Sequence, residues 1–276
     1  MTKNKQLAQF LALLNNEPAH HIGYCGEDVE EIEQTLREDF TESAFAIAYD
    51  NERIVAAIGL DIDGTSAEVW GPFMQCREQV PLLVNMWSQL LEKHSTIHTF
   101  QFFINEENKV ATEFIKAIGA QQTGWHSVLR WQQQEQPEMI PFTLYEPKFY
   151  EMFAVLHNEA FPNTYYDAKT IVQRLNDTHE LLLLINEEGQ LQGYAYIEVD
   201  VLHQWAAIEY IAIAPAFRRQ GLGTKLLAIA LTRISATHQI QEVQLTVSTA
   251  NEGALHLYRA AGFIVKHELV SYQLKK

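Results

Sequence analysis

The sequence predicts an α/β protein made of two similar domains in tandem, each a mixed, mostly antiparallel sheet flanked by helices. Three observations predict it: a long internal repeat, a hairpin pattern in each half, and strands that alternate with crossover helices in the second half. The repeat pairs Phe103–Ala120 with Val247–Phe263. Asn, Ala, an apolar residue and Gly recur in register, Asn108 with Asn251 and Gly119 with Gly262, both at an offset of 143. A period that long marks a duplicated domain rather than a solenoid unit.

The elements follow in order. The first half opens with helical patterns near Leu7–Leu14 and Val29–Leu36. Glu42 to Leu60 then reads as an apolar run, a polar turn and a second apolar run, which is the mark of a hairpin. The second half repeats this with helical patterns near Phe149–Ala160 and Ala168–Leu175, and with a matching hairpin from Glu180. Phe149, Met152, Phe153, Leu156 and Ala160 fall at helical spacing and form one apolar face. Strands are expected at 181–186, 191–199 and 206–214. A glycine loop follows, then a helix at 223–236, a strand at 242–247, a helix at 251–261 and a last strand at 263–274. The stretch Gln132–Pro141 is polar and holds Pro137, which suits neither strand nor helix. The join is placed there, giving domains 1–137 and 138–276.

Composition narrows the function. Apolar residues make up 47% of the 276 residues and aromatics 11%, enough for two packed cores. The net charge is −15, of which −12 lies in residues 1–140, with 9 Lys/Arg against 21 Asp/Glu. Such a balance disfavours nucleic acid, because neutralising phosphates takes clustered Lys and Arg. It fits a cationic small substrate, and equally a surface charged for solubility. Cys25 and Cys76 form no C-x-x-C pair, so neither a metal site nor a redox dithiol is expected, and both thiols suit a reducing cytoplasm. No segment reaches the roughly 18 apolar residues of a membrane span, and the N-terminus lacks a signal-peptide cleavage pattern. The sequence gives no oligomeric state, though it is compatible with a homodimer.

The richest local pattern runs from Glu209 to Leu227. An apolar strand ends at Pro215, Gly221-Leu222-Gly223 follows, and a helix opens directly. That helix carries Leu226, Leu227, Ala230, Leu231 and Ile234 at spacings of three and four. A glycine turn at a helix N-terminus is an anion site: free N–H groups and the positive dipole end point outward, and glycine lets oxygens approach the main chain. Arg218 and Arg219 add charge beside it. The third glycine of a dinucleotide fingerprint is missing, and so is the Gly-Lys-Ser/Thr of a P-loop. A plain strand-to-helix turn stays open as a reading of Gly-x-Gly by itself.

Arg218-x-x-Gly221-x-Gly223 resembles the (Gln/Arg)-x-x-Gly-x-(Gly/Ala) motif of the GNAT acetyltransferases, and Ile211–Pro215 resembles the strand that precedes it. Asn251-x-x-Ala254-x-x-Leu257-Tyr258, with Gly262-Phe263, resembles the family's second motif. The resemblance covers about residues 140–276; the first half looks like a degenerate copy, in a tandem arrangement that recurs in bacteria. It implies acetyl-coenzyme A as the acetyl donor, with the pyrophosphate on the amides of Arg219, Gln220, Gly221, Leu222, Gly223 and Thr224. It further implies Arg218 as a phosphate clamp, the pantetheine arm along Ile211, Ala212 and Ile213, and Asn251 close by.

Direct attack by a neutral amine needs a proton acceptor, because an amine with a pKa near 10 is mostly protonated at pH 7. Glu209 is the candidate base and Tyr258 the candidate acid toward the leaving thiolate. Glu198, Asp200 and His203 are lesser candidates, and His256 reads as a surface residue. Tyr165 and Tyr166 lie where the family often lines its acceptor site; they are either substrate contacts or loop aromatics. In the first half, Glu68 to Pro81 takes the place of the loop and lacks its glycines, and Ile115 stands for Tyr258, so that half is expected neither to bind coenzyme A nor to catalyse. The leading expectation is an N-acetyltransferase acting on a primary amine of a small molecule. A protein or peptide acceptor, and a non-catalytic acyl-coenzyme A sensor, remain alternatives.

Overall fold

The computed structural model describes residues 2–75, 80–132, 140–162, 164–237 and 240–276. The chain divides into two compact units, Met1–Ser127 with His267–Lys276, and Val128–Lys266.

The first unit begins with α1 (Lys3–Asn15), capped by the Thr2 hydroxyl on Lys5 N–H, and α2 (Val29–Glu38), capped by Asp28 on the N–H groups of Glu30 and Glu31. Then come β1 (Phe45–Asp50), β2 (Arg53–Asp63) and β3 (Ser66–Met74), an antiparallel meander. Helix α3 (Val80–Lys93) crosses over to β4 (Thr99–Asn105), which lies parallel to β3. Helix α4 (Lys109–Ile118) is capped by Asn108 and stopped by Gly119 in the left-handed conformation, φ 78°. Trp87 of α3 meets Phe100, Phe102 and Phe114 edge-on or tilted, at centroid distances of 4.9–6.0 Å, which ties both helices to the sheet.

The second unit repeats this order. After the short β6 (Thr143–Leu144) come α5 (Tyr150–Ala160), α6 (Ala168–Arg174), β7 (His179–Ile185), β8 (Leu191–Asp200) and β9 (Trp205–Ile213). Then α7 (Leu222–Thr237) leads to β10 (Glu242–Ser248), and α8 (Glu252–Ala260) to β11 (Ile264–Lys275). β7, β8 and β9 are antiparallel, while β9 and β10 are parallel. Alternate residues of each strand face opposite layers. Tyr194 and Tyr196 of β8 join Phe153 and Leu156 of α5, whereas Ala195 and Ile197 join Leu226, Leu227 and Ala230 of α7. The sheet therefore sits between α5/α6 on one face and α7/α8 on the other.

The last strands depart from the sequence reading. β5 (Gln121–Gln132) begins in the first unit and ends in the second, where it neighbours β10. β11 begins in the second unit, but its end belongs to the first: Leu269 stands opposite Asn105 and Lys275 opposite Thr99 of β4. The sequence puts the join near residue 137 and the whole of β11 with the second domain. The units part instead within β5, and residues 133–139 lie outside the described residues. A period-2 apolar pattern marks a strand without naming the strand it pairs with, so this exchange leaves no local signal.

Candidate active site

In the second unit the site begins where a strand pair parts. β9 and β10 share only Trp205–Ala207 against Glu242–Gln244. Beyond Ala207, β9 runs on to Ile213 with its edge toward β10 unpaired in that ladder. Peptide groups on such an edge need partners, and an extended ligand with amide groups can supply them. Ile211, Ala212 and Ile213 lie along this stretch.

A bulge sits at the point of parting. Tyr196 pairs with Tyr210 and Ile197 with Ile208, which leaves Glu209 as the extra residue of β9. The bulge inverts the alternation of the strand. Ala206 and Ile208 face the α7/α8 layer, whereas Tyr210 and Ala212 face the α5/α6 layer. Glu209 is held at this inversion with its side chain open to solvent. Protein crowds it on its other sides; that burial and the Glu198 carboxylate push its pKa up to about 7, against the opposing Arg174.

At the far end of the open edge, Pro215–Phe217 forms a single tight turn and the chain enters the glycine loop. Arg219 and Gly221 both take the left-handed conformation, φ 63° and 76°. The first helical bond of α7 runs from Lys225 N–H to Gly221 C=O, so the amides of Leu222, Gly223 and Thr224 precede it. A Cβ at Gly221 would meet nothing within 4 Å, so the space over the loop is open. A Cβ at Gly223 would meet Leu257 at 3.5 Å and Ile213 at 4.0 Å, which puts this residue where β9, α7 and α8 converge. The first turn of α7 has no acidic residue, and Arg218, Arg219, Gln220, Thr224 and Lys225 are exposed around it. Amides, dipole and cations together suit a polyanion. Arg218 differs from a free clamp, because its Nε already donates to the Ile213 carbonyl at 3.0 Å.

Helix α8 closes the other side. Asn251 is its N-cap, its Oδ1 accepting from Ala254 N–H at 3.2 Å. Asn108 caps α4 the same way at 3.0 Å, so capping by itself accounts for the repeated asparagine. Tyr258 is 6% exposed, and burial pushes its phenol up to about 12. Its proton is retained at any ordinary pH.

The remaining candidates separate. Glu198 is committed: Arg174 donates to it through Nε and Nη2 at 3.0–3.1 Å, and the Tyr196 hydroxyl donates at 2.6 Å. Both of its oxygens are thus taken up by partners within the protein. Asp200 and His203 pair with each other at 2.7 Å in the β8–β9 turn. Burial pushes Asp200 up, but the bonds from His203 outweigh it and its pKa falls below the usual carboxylate range. Asp200 faces Trp205, four residues before Glu209, which is about 13 Å along the strand. Both therefore lie at the wrong end of the hairpin. His256 is exposed. Tyr165 and Tyr166 lie between α5 and α6, and Tyr166 N–H donates at 3.2 Å to the hydroxyl of Tyr210, the residue after Glu209; the two tyrosine rings meet at 4.7 Å, and Arg174 lies over the Tyr166 ring at 4.5 Å. Sequence reasoning missed Arg174 and Tyr210. It also missed His157, whose position in the apolar face of α5 four residues after Phe153 was the available signal.

The first unit has the same parting but not its lining. β3 and β4 share only Ser66–Glu68 against Thr99–Gln101. This register puts Trp70, rather than Glu68, level with Glu209, and Pro72, which has no N–H, level with Ile211. Trp70 is buried, and Ile115 in the place of Tyr258 is 1% exposed. Cys76, Arg77 and Glu78 lie outside the described residues.

The first unit also gathers His21, Glu27 and His267, ligand-type atoms within 4.8 Å of one another that no sequence spacing discloses. The imidazoles stack at 3.7 Å and 10°, so their lone pairs run parallel rather than converging on one point. His21 Nδ1 bonds the Asn15 carbonyl at 2.8 Å. Asn105, fixed by Glu107 N–H on its Oδ1, turns its amide group to His267 Nδ1, and His267 Nε2–H then donates to Glu27 at 2.9 Å. The group is built as a hydrogen-bonded strut.

Comparisons with known proteins agree with this geometry. Over 99 residues the chain is 27% identical to the spermidine N(1)-acetyltransferase of Escherichia coli K12, a match that spans 36% of this chain and 53% of that protein. The chain therefore covers about half the length of this relative. A GCN5-related N-acetyltransferase from Sphaerobacter thermophilus superposes with a TM-score of 0.76 at 15% identity, over 98% of this chain and 91% of that one. A tandem GNAT protein from the clavulanic acid biosynthesis pathway superposes with a TM-score of 0.67 at 14% identity, over 99% and 94%. At such identities the superpositions speak for the fold. The Acetyltransferase (GNAT) family matches residues 126–263, which contain the parted strands, the bulge, the glycine loop and both helices that flank them, and the chain belongs to that family.

Proposed function

We propose that the second unit transfers the acetyl group of acetyl-coenzyme A to the nitrogen of a primary amine on a small cationic molecule. The observation that carries this reading is the opening where β9 leaves β10, with the Glu209 carboxylate at its bulge and the glycine loop at its far end. The donor fits the adjoining surface. The amides of Arg219–Thr224 would hold its pyrophosphate, and the free edge of Ile211–Ile213 its pantetheine amides. When bound, it supplies the activated acyl carbonyl.

Glu209 receives the proton that the ammonium group must lose, directly or through water, to which its side chain is open. An N–C bond then forms as the C–S bond breaks, and the nitrogen's remaining surplus proton passes to water while coenzyme A leaves as the thiolate. Tyr258 hydrogen-bonds the departing sulfur. With its pKa near 12 against about 8.5 for an ordinary thiol, full proton transfer to sulfur is uphill, so stabilisation rather than protonation is its role. Main-chain N–H groups of the open edge polarise the carbonyl oxygen. The Glu209 carboxylate at the opening supports a cationic acceptor, whereas most of the chain's net charge of −15, namely −12, lies in residues 1–140.

The test is thiol release over a panel of amines, with spermidine as the first probe, followed against pH. Turnover that rises through pH 7 with a single ionisation supports Glu209 as the base. Tight acetyl-coenzyme A binding without thiol release from any amine contradicts the reading.

A further inference from the structure

The bulge presents a second group beside Glu209. Tyr210, its neighbour in the chain, points into the α5/α6 layer and takes hold of the segment between those helices. Its hydroxyl accepts from Tyr166 N–H at 3.2 Å and bonds Thr164 Oγ1 at 2.8 Å. The carbonyl of the same residue is held from the other side, because His157 Nε2 bonds Tyr166 C=O at 2.8 Å. His157 is fully buried and its Nδ1 meets the Tyr194 hydroxyl at 2.5 Å. The tautomer follows from the partners: a carbonyl accepts only, so Nε2 carries the proton and Nδ1 accepts from Tyr194. Burial also lowers the pKa of His157, which favours that neutral form.

Both main-chain groups of Tyr166 are thus fixed by buried side chains, one of them on the strand that carries Glu209. The Tyr166 ring is fixed in turn beneath Arg174 at 4.5 Å, and Arg174 is fixed by Glu198. A loop residue seldom has its N–H, its C=O and its ring all restrained. Restraint of this kind is what a surface that orients a substrate requires.

We propose that His157 and Tyr210 are positioning residues that brace Tyr166 as a wall of the acceptor site, so that they set affinity for the amine and leave the donor unaffected. The proposal rests on the acetyl-transfer reading above. Neither residue reaches the glycine loop, whereas both act on the segment beside Glu209. The brace predicts a split between the two substrates. Tyr210→Phe removes one hydroxyl at constant shape, and His157→Leu removes both bonds of the imidazole. Each removes two hydrogen bonds, one of them to Tyr166, and raises KM for the amine about tenfold, while KM for acetyl-coenzyme A stays within about twofold. His157→Gln, which keeps an N–H near the Nε2 position, recovers most of the amine affinity.

The experiment measures steady-state kinetics for both substrates in the full chain, with hydrogen exchange at the Tyr166 amide as a readout independent of turnover. The expected result is a rise in amine KM alone, together with about tenfold faster exchange at Tyr166 in Tyr210→Phe. Unchanged amine KM in Tyr210→Phe and His157→Leu, with the wild-type chain active, overturns the brace and leaves the function standing. Equal rises in both KM values overturn it too, because they mark a general loss of structure. Absence of thiol release from the wild-type chain with every amine overturns the reading on which the brace depends.

Discussion

β3 and β4 part after Glu68 much as β9 and β10 part after Ala207, and the helices that follow each pair come in the same order. The two units share a scaffold and differ in what lines its opening. Two residues past the parting the first has buried Trp70, paired with Gly59, where the second has the bulged Glu209; the first unit's own register shift falls later, at Gly71–Pro72. On the free edge it has Pro72, which cannot donate, where the second has Ile211. On the following helix it has Ile115 where the second has Tyr258. Between strand and helix it has five residues without glycine, 75–79, where the second has eight containing Gly221. The parting of the strands is thus a property of the fold, and a binding site arises only where donors and ionisable groups are placed along it.

Four substitutions, taken in descending order of effect, probe this contrast. Gly221→Asp puts a negative charge and a side chain over the cradle. A Cβ there meets no protein atom, and Asp is among the residues that visit the left-handed conformation of Gly221, at a cost of about 1–2 kcal/mol, so the fold survives and the main cost falls on the ligand. Acetyl-coenzyme A affinity measured by calorimetry should drop by about 100-fold or more, and circular dichroism should not change. Next, Glu209→Gln should lower kcat/KM about 100-fold, within the range of one general base. The sign of the pH dependence is fixed: the base acts deprotonated, so wild-type activity rises with pH through about 7, and that limb should vanish in the variant. A limb that persists assigns the ionisation elsewhere. Third, Tyr258→Phe should lower kcat about tenfold by removing one hydrogen bond to the sulfur, with donor affinity held constant. Last, Ile115→Tyr in the first unit should leave kcat and the donor stoichiometry untouched. It forces a larger polar side chain into a site 1% exposed, so it should lower stability by about 1–3 kcal/mol, read from the denaturation midpoint.

What the sequence disclosed was local. The glycine loop and the helix after it each lie within a few consecutive residues, and spacing carries such features directly, whereas the capping role of Asn251 appeared only in the structure. The bulge was not legible. Ala206, Ile208, Tyr210 and Ala212 are all buried, so an inversion of faces between them leaves the apolar pattern looking like an ordinary buried strand. The neutralisation of Glu198 depends on Arg174, which lies 24 residues away on another element, and no spacing rule links them. The exchange of β11 into the first unit likewise depends on hydrogen bonding across more than 160 residues, Leu269 with Asn105. The sequence put Glu68 to Pro81 in the place of the loop without pairing residues, and the strand register was needed to show that Trp70 stands level with Glu209.

The central claim is that one opening binds the donor and the other does not. Calorimetric titration of acetyl-coenzyme A into the full chain, repeated with Gly221→Asp, tests it most directly. One equivalent is expected to bind to the wild type and none to the variant over the same concentration range. Two equivalents in the wild type, or one remaining in the variant, would contradict it.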